Sequence, residues 1–133
     1  MTIPLDALVS PETELYRRVC PSQGRQHLVL DESRGCLRLS SAFFGQPRSS
    51  VVIEDQLREE GREPIDIVKS HPEDFLVAIT AEAALDFGQA VERAPTLEEP
   101  GHGEIVGKKT GAVKNGLLKR VNWIKAPDDL CSD

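Results

Sequence analysis

No apolar run in this chain is longer than a β-strand. The longest, such as FLVAI over 75–79, are strand-sized and fall far short of the roughly 18 apolar residues of a membrane span. Turn-forming residues separate the runs, so the chain must fold from short elements joined by tight connections. Its 133 residues suit one hydrophobic core. Strand and helix signals alternate without a regular βαβ rhythm. They predict a single α+β domain over 13–126 with a mixed or mainly antiparallel sheet and two to four short helices. An N-terminal arm or loop over 1–12 and a polar C-terminal tail over 127–133 flank it.

The local signals are specific. ELYRRV and QHLVL read as strands, and DESRG as the turn of a hairpin. CLRLSSAFF alternates, so Leu37, Leu39, Ser41 and Phe43 share one face and Arg38 and Ser40 project together from the other; GQPRSS then breaks the pattern. VVIEDQLREEG reads as a strand passing into a helix that Gly61 ends. PIDIVKSHP reads as a helical turn opened by Pro64. Thr80 is placed to cap AEAALDF, with Gly88 at its C-terminal end, and QAVER returns as a strand. Val113, Leu117, Leu118 and Val121 recur at helical spacing and predict a helix from about 112 to 122.

Composition narrows the functional classes. The net charge is −6, which argues against general duplex nucleic-acid binding. The charge is also segregated. Between Ile105 and Ala126 lie Lys108, Lys109, Lys114, Lys119, Arg120 and Lys125 and no acidic residue, so that segment carries +6 and the remainder −12. Cys20, Cys36 and Cys131 are odd in number and form no C-x-x-C pair, which predicts reduced thiols in a cytoplasmic protein and no zinc site. The start MTIPLDALVSPETELYRRV lacks the pattern of a secretory signal, and no membrane association is expected. His27, His71 and His102 are far apart in sequence and sit beside no acidic pair at ligand spacing, so no metal is assigned; the sequence does not specify a cofactor.

Two constellations carry chemistry. In the first, Gly101, Gly103, Gly107 and Gly111 accompany His102, Lys108, Lys109 and Thr110, the composition of an anion-holding loop. It is not a nucleoside-triphosphate P-loop. That motif needs four residues between its glycines and Ser or Thr directly after the lysine. Here the spacings are five (Gly101 to Gly107) or three (Gly103 to Gly107), and Lys109 follows Lys108. A looser site remains, with Thr110 opening a helix, Lys108 and Lys109 gripping a phosphate or carboxylate, and His102 moving a proton. In the second, Arg17, Arg18, Arg38, Ser40 and Ser41 offer guanidinium forks and hydroxyls to an anion. An arginine on an early strand followed by a strand with paired serines resembles the nicotinamide-dinucleotide site of ADP-ribosyltransferase folds. That resemblance covers few residues and implies a late glutamate, for which Glu54, Glu82 and Glu104 are equal candidates.

The expectation is therefore an anion pocket for a phosphorylated ligand, a nucleotide or nucleic-acid end. Arg18, Arg38, Ser40, Lys108 and Lys109 would bind it. Any catalysis would be transfer or cleavage at a phosphate or glycosidic centre through His102. The alternative is a non-catalytic interaction module of the immunity, antitoxin or adaptor kind, whose acidic and basic surfaces meet a protein partner.

Overall fold

A computed structural model describes residues 10–131; residues 1–9 of the arm predicted over 1–12 and the last two residues lie outside that range. The strands are β1 (Glu14–Val19), β2 (Leu28–Asp31), β3 (Cys36–Leu39), β4 (Arg48–Ile53), β5 (Phe75–Thr80), β6 (Ala90–Arg93), β7 (His102–Val106) and β8 (Asn122–Lys125). The helices are α1 (Glu54–Glu59), α2 (Ala81–Asp86) and α3 (Gly111–Leu118), with 3₁₀ turns at Pro21–Gln26 and Pro64–Val68. Six strands form one sheet in the order β6-β7-β4-β1-β5-β8, and every neighbouring pair is antiparallel. β2 and β3 form a separate antiparallel hairpin. The α+β architecture expected from the sequence is the one observed.

Alternation along β1 and β4 divides the core in two. Leu15, Val19, Val51 and Ile53 face a main core closed by Phe43, Phe44, Ala83, Ala84 and Leu117, all buried. Tyr16 and Val52 face the other way, into a smaller core with Leu57, Val68, Leu76 and Ala78. Phe43 and Phe44 pack edge to face with centroids 4.9 Å apart. Truncating either to alanine would cost on the order of 3–5 kcal/mol.

Caps and turns follow their residues. Thr80 Oγ1 accepts from the Ala83 amide and Thr110 Oγ1 from the Val113 amide, each satisfying a free donor of a helix start. Gly61 and Gly88 take positive φ (70° and 72°) just beyond α1 and α2.

Four local expectations are corrected. The strand CLRLSSAFF stops at Leu39, because Ser40 turns the chain: its Oγ accepts from the Ala42 amide and its carbonyl from the Phe43 amide. Arg48–Ser50, expected to interrupt the pattern, open β4 and pair with β7. Asn122, expected in the last helix, begins edge strand β8 beside β5. Finally, Cys36 and Cys131 are not separate thiols but form a disulfide, leaving Cys20 free. The segment carrying Cys131 lies along β3, with the Leu37 amide donating to Asp129 and the Cys131 amide to Leu37. Among the described residues, no helix is long and apolar enough to cross a membrane.

Candidate functional site

The sheet is split near its middle. β1 pairs with β5 over six residues, yet with β4 only at Leu15–Ile53 and Tyr16–Val52. Beyond that point the Arg17 guanidinium replaces the ladder. Its Nη1 donates to the Ser50 carbonyl at 2.8 Å and its Nη2 to the Phe43 carbonyl at 2.9 Å. The guanidinium carbon lies 4.7 Å from the centroid of the Phe43 ring. Among the described residues Arg17 has no carboxylate partner, and its Nε is a buried donor without an acceptor. Burial pulls its pKa down to about 10.

A cleft of about 660 Å³ opens over this split, reaching Arg17, Arg18 and Cys20 and all three histidines of the chain. One wall is the turn segment with Arg62 and His71; the other is the β6–β7 connection with Glu99 and the first residue of β7, His102. A bidentate ion pair joins the walls, Arg62 Nη1 and Nη2 each lying 2.9 Å from a Glu99 oxygen. Arg62, and then the Gly101 amide, hold the Glu99 carboxyl below the usual carboxylate range.

Hydrogen-bond partners fix the protons of the histidines. His102 Nδ1 is 2.9 Å from the Ala94 carbonyl, which can only accept, so Nδ1 carries a proton and donates it there. His27 is held in the opposite form: its Nδ1 accepts from the Cys20 amide at 2.9 Å. Burial, and then the Arg17 charge, push the His27 pKa down to about 4, so that ring is neutral at pH 7. His71 Nδ1 lies 3.2 Å from Arg18 Nη1, a donor, and therefore also accepts. Arg18 in addition pairs with buried Asp74 at 3.5 Å.

The predicted site residues divide sharply. Arg18 and His102 line the cleft; Arg38, Ser40, Lys108 and Lys109 do not. Arg38 is exposed on the hairpin opposite Val29, whereas Ser40 is buried and engaged in its turn, so the two do not project as a pair. Lys108 is exposed, and Thr110 caps α3 as expected. Lys109 has turned inward, its Nζ donating at 3.1 Å to the carbonyls of Pro47, Ile105 and Gly107. Burial and then Arg17 lower its pKa to about 8, while three carbonyl acceptors use every N–H of the ammonium form. In the basic segment, Arg120 pairs with Asp86 and Lys125 donates to the Pro72 carbonyl.

The arginine–serine pattern of the ADP-ribosyltransferase resemblance is not assembled, since Ser40 and Ser41 lie in a turn beyond β3. Of its glutamate candidates, Glu54 pairs with Arg58 and Glu104 with Arg48. No group of three or more His, Cys, Asp or Glu side chains that could hold a metal occurs among the described residues. Sequence reasoning singled out neither Arg17 within its pair nor His27 and His71, because each acquires its role only where distant segments meet. No protein-family model, curated protein or solved structure matches this chain.

Proposed function

We propose that the chain binds a small phosphorylated ligand, a nucleotide or a nucleic-acid end, in the cleft over the β1–β4 split. Arg17 and Arg18 anchor the phosphate. His102 lines the same cleft with its Nδ1 held on the Ala94 carbonyl. The observation that carries this reading is Arg17: a largely buried guanidinium on a residue that lines the cleft, without a carboxylate partner among the described residues and with a buried Nε that has no acceptor. Taking a cation out of water is costly unless an anion meets it, and a phosphate in the cleft supplies the countercharge. His27 and His71 line the same cleft, each with its Nδ1 accepting from a protein donor.

Calorimetry with inorganic phosphate and with a nucleoside monophosphate tests the reading. Wild type binds, Arg17→Met weakens binding roughly tenfold to a hundredfold, and Arg18→Met weakens it less because Arg18 already shares Asp74. Thermal melts of both variants establish that they fold. Absence of binding by wild type, or equal affinity in a folded Arg17→Met, overturns the proposal.

A further inference from the structure

We infer that the outer edge of the hairpin, strand β2, is an interface between two copies of this chain, which pair antiparallel through Leu28–Leu30 about a two-fold axis at Val29. The inference does not depend on the ligand reading above, since it concerns a different surface.

The phase of the hairpin ladder decides which backbone groups are free. Leu28 pairs with Leu39, Val29 with Arg38 and Leu30 with Leu37. The Ser40 amide donates to the His27 carbonyl. Bonded and non-bonded pairs alternate along an antiparallel ladder, so Val29 and Asp31 turn their N–H and C=O toward β3, and Leu28 and Leu30 turn theirs outward. β3 shows the same phase from its other side, where the outward groups of Leu37 are bonded to Asp129 and Cys131 of the chain end. That segment covers β3; among the described residues, no backbone group bonds the outward groups of Leu28 and Leu30 on β2. The edges of the six-stranded sheet are protected differently. β6 carries Glu92 and Arg93, and β8 carries Lys125 and a register shift in its pairing with β5. β2 presents Leu28, Val29 and Leu30 in succession, with no lysine, proline or bulge, and Leu30 is 56% exposed.

A second copy of β2 is its own complement. With the axis at Val29, Leu28 stands opposite the partner's Leu30 and Leu30 opposite the partner's Leu28, and each such pair exchanges both of its N–H···O bonds, so every outward group of the two residues is used. Directly opposed residues share a sheet face, so the leucines of both copies meet on one side and Val29 meets the partner's Val29 on the other. The two Asp31 carboxylates stand at opposite ends of the pairing, and no like charges oppose each other. A strand-to-strand contact of this length is at the small end of specific interfaces, so the dimer is reversible and depends on concentration.

Sedimentation equilibrium of the full chain, from micromolar to millimolar concentration, tests the pairing. Wild type is expected to pass from one chain mass toward two as concentration rises. Leu30→Lys sets an ammonium beside the partner's Leu28 and is expected to weaken association about tenfold or more, while thermal melts establish that this exposed substitution leaves the chain folded. Cysteines read the register, in a Cys20→Ser background that keeps the Cys36–Cys131 bond. Val29→Cys brings its Cα to about 4.5 Å from the same atom of the partner, within disulfide reach, and is expected to cross-link in oxidised glutathione. Leu30→Cys is more exposed, yet its two copies stand about 8 Å apart, beyond that reach, and is expected to cross-link far less. Wild type that keeps one chain mass at every concentration overturns the inference and leaves the edge to a foreign strand. Undiminished association of folded Leu30→Lys overturns it as well, as does Leu30→Cys cross-linking as readily as Val29→Cys.

Discussion

The glycine–lysine segment and the β1–β4 split are both rich in cationic donors, but they use them in opposite ways. At Lys109 all three N–H bonds point at backbone carbonyls, and the lysine ties the start of β4 to the end of β7. At Arg17 two nitrogens hold carbonyls and the third has no acceptor, beside a cleft. The composition of the first advertises an anion site more loudly than the second. What separates a structural cation from a binding one is whether a donor remains after the fold has been satisfied, and residue type does not report that.

The largest effect expected from disturbing this contrast is at the disulfide. Cys36–Cys131 closes a sequence separation of 95 residues and fixes the chain end along the hairpin, whose following turn supplies the Phe43 carbonyl to Arg17. Cys36→Ser with Cys131→Ser should lower unfolding free energy by about 3 kcal/mol in denaturant titrations. If the contrast is drawn correctly, hydrogen exchange will rise at 28–44 and remain unchanged at 105–109. A uniform rise would show that the hairpin and the lysine loop are not independent.

Next in size is Lys109→Met, which keeps the aliphatic stem and removes the donors to three carbonyls. It should cost about 2 kcal/mol of stability while leaving phosphate affinity where it was. Lys108→Ala, at an exposed position one residue away, should change stability by no more than about 0.5 kcal/mol. Weakened phosphate binding in folded Lys109→Met would erase the distinction between the two regions and restore the loop as a binding element.

How far the sequence reveals this molecule depends on the range of the cause. Thr80, Thr110, Gly61 and Gly88 act within one helical turn, and each sits where its chemistry places it. The alternation in CLRLSSAFF is equally local but misleading, because a serine that can bond its own backbone ended the strand after Leu39. NWIK at β8 is a short edge strand with two polar residues out of four, so the basic helical stripe before it dominates the local pattern. The cleft is the least legible part. Three histidines scattered along the chain carry no spacing signal, and the unpaired state of Arg17 arises from the parting of two strands that have 28 residues between their facing ends, Val19 and Arg48. Arg18 and His102 were recoverable as residue types; their shared cleft was not.

The smallest expected effect probes the electrostatics of the cleft itself. The folded chain holds His27 neutral down to about pH 4, whereas the ordinary imidazole value is 6.5. Between those values the unfolded chain binds more protons than the folded one, so this group makes stability fall as the pH falls from 6.5 toward 4. With water screening a partly exposed ring, the loss attributable to His27 is about 1–2 kcal/mol. His27→Asn supplies an acceptor that does not titrate, so the difference between wild-type and variant unfolding free energies should change across this window and be constant above it. Parallel curves would mean that the ring is not held neutral beside Arg17, and the picture of an uncompensated cation at the split would lose its independent support. Added phosphate sharpens the measurement: an anion on Arg17 cancels part of the charge that depresses His27, so the ring protonates at a higher pH in the folded chain, and the drop in stability, which still begins near pH 6.5, levels off sooner and is smaller with phosphate than without it.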